Sequence, residues 1–292
     1  MAEVITLVYE YPFTANYLLL GSHRLHYIDE GQGPVVVMVH GNPTWSYYFR
    51  HVISQLATNH RVIAIDHMGC GLSDKPQDYP YQLEQHRDNL QALLDHLRID
   101  RYALMVHDWG GAIGMGCAVN HPTRIERIVI LNTAAFRSSR IPLRIRICRW
   151  PGIGRLIVQG LNGFAWPAQF MAVSQPLPPA VAKAYLQPYS SWAKRVAIHA
   201  FVRDIPLHPG HPSYALLSKI EAGLAKLQSP AIPKLILWGG QDFCFNRFFF
   251  DEWCARFPEA DRHYFADAGH YILEDKRAAI APLLENFFAR QA

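Results

Sequence analysis

Five short apolar runs limit what this chain can fold into. "PVVVMVH" (34–40), "RVIAID" (61–66), "YALMVH" (102–107), "RIVILN" (127–132) and "PKLILWG" (233–239) are rich in β-branched residues and bounded by turn formers. Runs this short and continuous read as strands buried on both faces, which a parallel sheet covered by helices provides. The stretches 83–98, 110–120, 246–256 and 276–290 read as helices, and "RHYFADAGH" (262–270) reads as a last strand and the loop after it. The expected class is α/β, a mostly parallel central sheet flanked by helices, with no internal repeat.

The rhythm breaks between Phe136 and Leu227. Strand-like runs vanish there, and prolines gather at 142, 151, 167, 176, 178 and 179. Roughly ninety residues is too long for a connecting loop, so an inserted helical cap is expected. The expected division is a core of 1–135 and 228–292 and a cap of 136–227. Such a cap would enclose the crevice at the C-terminal ends of the strands, where open α/β sheets bind ligands.

Composition narrows the function. Half the residues are hydrophobic and 18% are charged, enough for a sizeable core. A net charge of +4, without a basic patch interleaved with aromatics, argues against nucleic acid. The five cysteines (70, 117, 148, 244 and 254) are odd in number and form no CxxC pair, which points to reduced thiols and a cytoplasmic setting. "MAEVITLVYEYPFTANYLLL" has no basic n-region and no cleavage site, so it does not read as a signal peptide. No apolar run approaches the roughly 18 residues of a membrane span. There is no P-loop and no GxGxxG after the first strand, and "HPGHP" (208–212) has no carboxylate or cysteine at ligand spacing. Neither a cofactor nor a metal is expected.

"LMVHDWGGAIG" (104–114) holds the chemistry. It runs from a strand into a helix through a turn with Asp108 at its tip, the nucleophile elbow of the α/β-hydrolases with aspartate in place of serine. Val106 departs from the usual small residue at the first position. The plain alternative is that Asp108 only caps the helix. The fold demands the order nucleophile, acid, histidine, and Asp242 in "LILWGGQDFCFN" and His270 in "FADAGHYILED" follow in that order at strand ends.

An aspartate is already ionised at neutral pH and needs no base to activate it. Asp108 would attack a carbon and form an alkyl ester, and His270, oriented by Asp242, would activate water to hydrolyse it. The departing group needs donors. "VHGNPTWSYYFR" (39–50) offers the Asn42 backbone N–H and side-chain amide, and Trp109 adds its own N–H and indole. Core packing for Trp109 and turn chemistry before Pro43 for Asn42 are the bland alternatives.

HGNPTW, "DHMGCGLSDKP" (66–76), HDWGG and the late AGH together resemble the haloalkane dehalogenases over nearly the whole chain. The resemblance implies a halide held by Trp109 and Asn42, an apolar small-molecule substrate and a hydrolytic carbon–halogen cleavage. One branch of that family carries its acid near the position of Asn132, which cannot serve, so Asp242 is expected to be the acid; Asp108, His270 and Asp242 together with Asn42 and Trp109 resemble the third subfamily. "LNTAAFRS" (131–138) and the proline-punctuated segment after it resemble third-subfamily members, some of which are β-lactone decarboxylases that turn a dialkyl β-lactone into an alkene and carbon dioxide. That activity is the alternative expectation.

Other readings compete. An epoxide hydrolase would need cap tyrosines, for which Tyr185 and Tyr189 are candidates. A luciferase-like monooxygenase or a non-catalytic ligand-binding or assembly protein would share the fold. Finally, Arg137, Arg140, Arg144, Arg146, Arg149 and Arg155 make segment 137–155 a candidate contact surface for a membrane, a partner enzyme or a second copy, against the alternative of a solvated helix face.

Overall fold

The computed structural model describes residues 8–289. The N-terminal part of the signal-peptide reading (1–7) and the last residue of the expected helix 276–290 lie outside the described residues. Eight strands form one sheet: β1 (Asn16–Leu20), β2 (His23–Glu30), β3 (Val35–Val39), β4 (Arg61–Ile65), β5 (Tyr102–Asp108), β6 (Ile125–Thr133), β7 (Lys234–Gly239) and β8 (Asp261–Phe265). Their order is β1-β2-β4-β3-β5-β6-β7-β8. From β4 to β8 all neighbours are parallel, whereas β1 and β2 join at one edge as an antiparallel hairpin.

The five apolar runs are β3 to β7, five of the six strands with a neighbour on each side; the sixth is β2. Alternate residues of each feed two separate cores, one per face. Leu104, Val106, Ile128, Ile130 and Ile236 point one way. Ala103, Met105, Val129, Leu131, Leu235 and Leu237 point the other. The edge hairpin has no counterpart among the sequence expectations. β1 alternates between half-buried and exposed residues, and such an edge strand lacks the continuous apolar run that betrays an inner one.

Chain order fixes where a ligand can sit. From β3 the chain goes to β4 on one side, then crosses back to β5 on the other. The connections leaving β3 and β5 therefore run to opposite sides and leave the crevice of a topological switch point between them. The residues after β3 are His40, Gly41 and Asn42, and β5 ends on Asp108.

Between β6 and β7 the described residues hold helices and turns without a strand, including Leu143–Cys148, Ala165–Met171, Pro179–Leu186, Val196–Arg203 and Tyr214–Gly223. The last two of these helices also pack against the core beside the sheet, Val196–Arg203 through Ala197 and Phe201. Leu217 and Ile220 of Tyr214–Gly223 join the same core cluster as Ile113 and Cys117 of the helix Trp109–Asn120. Tyr214–Gly223 packs beside the sheet on that helix, and its Leu217 also reaches the cavity wall.

Candidate active site

Asp108 is the last residue of β5 and stands at the N-terminal boundary of the helix Trp109–Asn120 without a side-chain capping bond, with φ of 51° and ψ of −126°. That left-handed backbone is costly for a residue with a side chain, and such strain persists only where the surroundings enforce it. Here they do. The Thr133 hydroxyl donates to the Asp108 carbonyl. A side chain on Gly110 would strike the Val39 carbonyl oxygen at 1.9 Å, so the helix packs against the end of β3 only because that residue is glycine. Gly41 does the same for the carboxylate, since a Cβ there would stand 2.0 Å from Asp108 Oδ1.

The Asn42 backbone N–H donates to Asp108 Oδ1 at 2.6 Å. The other carboxylate oxygen, Oδ2, lies 3.7 Å from His270 Nε2. His270 Nδ1 is 2.6 Å from Asp242 Oδ2. Asp242 is fully engaged: its Oδ1 accepts from the backbone N–H groups of Cys244 at 2.7 Å and Phe245 at 3.0 Å. The five residues named from the sequence thus converge from four loops. Asp108, Asn42 and Trp109 line the cavity together with His270, while Asp242 stands behind the imidazole.

Two neighbours hold this arrangement: Asn132, which the sequence excluded as the acid without giving it another role, and His107, to which it gave none. Asn132, with φ of 30°, donates to Asp242 Oδ2 at 2.9 Å and to the Gly239 carbonyl at 3.0 Å, and accepts from the Gly239 N–H at 2.8 Å. His107 Nε2 donates to the His270 carbonyl at 3.0 Å, and its ring stacks on Tyr48 at 4.2 Å. Phe245 lies parallel to the His270 ring at 5.7 Å. Asn132 and His107 flank motif residues in the chain, but only the parallel pairing of β5, β6 and β7 brings them to the site.

Burial and charge set the protonation states. Desolvation pushes the Asp108 carboxyl up, against the His270 charge and the N–H groups of Asn42 and Trp109. Burial pulls His270 down, but the Asp242 charge, its hydrogen bond and the Asp108 charge outweigh it, and the net shift is upward. His107, buried next to His270, is held neutral.

The cavity over Asp108 measures about 440 Å³. Its walls are mainly apolar: Phe136, Ile141, Ile145, Phe164, Val202 and Phe245 are among them. Asn42 gives one amide N–H to the Ile198 carbonyl at 3.2 Å and retains another. Tyr185 and Tyr189 stand outside the wall, their hydroxyls donating to Glu274 and to the Thr44 carbonyl, so neither reaches a substrate as an epoxide-protonating acid would. His211 of "HPGHP" is occupied by the Arg203 carbonyl and the Ser213 N–H.

Comparison with known proteins places the chain in a family. Residues 34–277 match the alpha/beta hydrolase fold family. A cis-3-alkyl-4-alkyloxetan-2-one decarboxylase of Shewanella oneidensis is 47% identical over 94% of this chain and 88% of its own length. Haloalkane dehalogenase 2 of Mycobacterium bovis is 30% identical over 95% of this chain and 96% of its own. Among solved structures, the haloalkane dehalogenase DatA of Agrobacterium tumefaciens superposes with a TM-score of 0.85 at 27% identity, covering 96% of this chain and 97% of that one.

Proposed function

The chain belongs to the alpha/beta hydrolase family, as an enzyme akin to haloalkane dehalogenases and oxetan-2-one decarboxylases, and we propose that it cleaves carbon–halogen bonds by hydrolysis. One observation carries the reading: an ionisable aspartate, held by a backbone N–H and facing a histidine–aspartate pair, lies at an apolar cavity. Asp108 Oδ2 attacks the halogen-bearing carbon, the carbon–halogen bond breaks, and the halide leaves toward the N–H donors of Trp109 and Asn42. The product is an alkyl ester on Asp108. His270 then takes a proton from water as the water's oxygen attacks the ester carbonyl, and Asp242 steadies the imidazolium. Alcohol, halide and a proton result, and the residues are regenerated.

A second reading is favoured by the higher identity to the Shewanella oneidensis decarboxylase. On a cis-dialkyl β-lactone, Asp108 would attack the ring carbon bearing oxygen, with inversion, and the departing group would be the substrate's own carboxylate. Loss of carbon dioxide then supplies the electron pair for the alkene as the bond to Asp108 breaks. Inversion followed by anti elimination keeps the alkyl groups cis, and no water is consumed.

The division into a core of 1–135 and 228–292 and a cap of 136–227 belongs to the same reading, as does a cytoplasmic setting, supported by five unpaired cysteines. No helix among the described residues is long and apolar enough to cross a membrane. Contact of the Arg-rich segment 137–155 with a membrane, a partner or a second copy is likewise proposed. The test of the chemistry is a paired assay of halide released from 1-bromobutane and alkene formed from a cis-dialkyl β-lactone, with Asp108→Asn beside each. Halide release lost in that variant supports dehalogenation. Alkene without halide moves the assignment to the lactone, and neither product refutes both.

A further inference from the structure

The net charge of +4 conceals a segregation. Residues 137–203 carry ten of the chain's 28 lysines and arginines and none of its 24 acidic residues. The rest of the chain is therefore net acidic, with 18 basic residues against 24. Arg137 and Arg149 are engaged internally, by Glu221 and by the Val202 and Ile205 carbonyls. Arg140, Arg144, Arg146, Lys183 and Lys194 are exposed and make no ion pair among the described residues.

The same span holds most of the exposed large hydrophobics among the described residues. Leu143, Trp150, Leu156, Leu161, Trp166 and Phe170 are all at least half exposed, with Leu161 at 74%; outside the span only Tyr9 and Leu19 reach half exposure among the described residues. Two helices carry this face and the cavity wall on opposite sides. Leu143–Cys148 gives Ile145 and Cys148 to the cavity and turns Leu143 and Arg146 outward. Ala165–Met171 gives Pro167, Ala168 and Met171 to the cavity and turns Trp166 and Phe170 outward. Arg144 reaches Met171 Sδ at 3.5 Å and joins the two. The exposed members of the cavity lining are Arg140 and Arg144, so the mouth opens within this face.

We propose that this outer face of the cap docks on an anionic phospholipid bilayer and sets the cavity mouth against the lipid. Isolated tryptophans and leucines among unpaired arginines are the composition of interfacial binding, where the rings enter the headgroup layer and the cations meet lipid phosphates. A second copy fits less well, because a two-fold contact would set this cationic face against itself. The placement also suits the substrate, a point that rests on the apolar-substrate reading: such a compound dissolves in the bilayer and would pass to Asp108 without crossing water.

The test is sedimentation of the full chain with vesicles of phosphatidylcholine alone and with about one-third phosphatidylglycerol. Binding is expected to the second only, and to be released at about 0.5 M NaCl by screening. The triple variant Arg146→Glu, Leu161→Ser, Trp166→Ser, which leaves the cavity lining intact, should lose about tenfold or more of that binding. Its turnover of a short water-soluble substrate should equal the parent's, which shows that it is folded. Equal binding to neutral vesicles, no binding at low salt, or undiminished binding of the variant overturns the proposal. So does a dimer in sedimentation velocity that the variant abolishes without any vesicle binding. Failure of the parent on every substrate would instead refute the proposed chemistry and leave vesicle binding as an independent result.

Discussion

Replacing His270 by phenylalanine separates the two chemistries in one variant. In hydrolytic dehalogenation the imidazole acts only after the halide has left, as the base for water. Removing a positioned general base costs about 10²- to 10⁴-fold. The ester on Asp108 should therefore accumulate, with one halide released per chain and a steady rate at or below about 1% of the parent. With 1-bromobutane the chain should gain about 56 Da, the mass of the butyl ester. The fold should survive. Phenylalanine suits a position between Phe245 and His107, and Asp242 keeps its bonds from Asn132, Cys244 and Phe245. The lost charge-assisted bond to Asp242 costs about 1–3 kcal/mol. At roughly 2–4 °C per kcal/mol for chains near this size, the melting temperature should fall by about 2–12 °C. The β-lactone needs no water, so the variant should still form alkene over many turnovers if Asp108 is expelled by decarboxylation. Rapid-quench halide assay, intact-protein mass spectrometry and gas chromatography read the three outcomes. Sustained halide release, or a folded variant with no burst and no adduct, would refute the assigned roles.

Two further outcomes follow from the buried charges. His270 stands above its usual value, so its base function is lost as pH falls through that raised value, and kcat for halide release should show an acid limb. Esterified Asp108 no longer contributes charge, so Asp242 is the main support of the limb, and Asp242→Asn should move it to lower pH; an unmoved limb in a pH–rate profile would count against this. Asp108 is raised by burial, so the folded state binds its proton more tightly than the unfolded chain and stability falls as pH rises from the free aspartate value through the raised one. Asp108→Asn removes that loss while keeping an acceptor for the Asn42 N–H, and should melt no lower than the parent at pH 8 in calorimetry, although it is inactive.

The strands and the site were legible for different reasons. Buried strands with continuous apolar runs stand out, as β3 to β7 do, whereas β1 is wet on one side and β2, though buried at its centre, is interrupted by His26 and flanked by charged residues. Asp108, His270 and Asp242 could be read because each ends or follows a strand and the fold imposes their order. Asn132 could not. Its reach to Asp242 depends on the register between β6 and β7, a separation of 110 residues that no local pattern encodes. The charge segregation of the cap was half visible. The arginines were, but which were spent on Glu221 and on carbonyls, and which faced solvent beside Leu161 and Trp166, needed the packing.

One site suits both reactions because the first step makes the same demand of it. A carboxylate held by the Asn42 N–H attacks a saturated carbon in an apolar cavity, and the departing anion, halide or carboxylate, needs donors rather than a proton. Nothing in that step distinguishes a carbon–bromine bond from a strained ring carbon–oxygen bond. The difference arises afterwards, in whether the ester carries its own electron source. A β-lactone leaves a carboxylate beside the ester and can break the bond to Asp108 from within the substrate. A haloalkane leaves only hydrocarbon, so cleavage must come from His270 and a water. The imidazole at 3.7 Å from Asp108, raised by Asp242, is equipment that the haloalkane requires and the lactone does not. The dependence of each product on His270 is thus the property that assigns the chemistry.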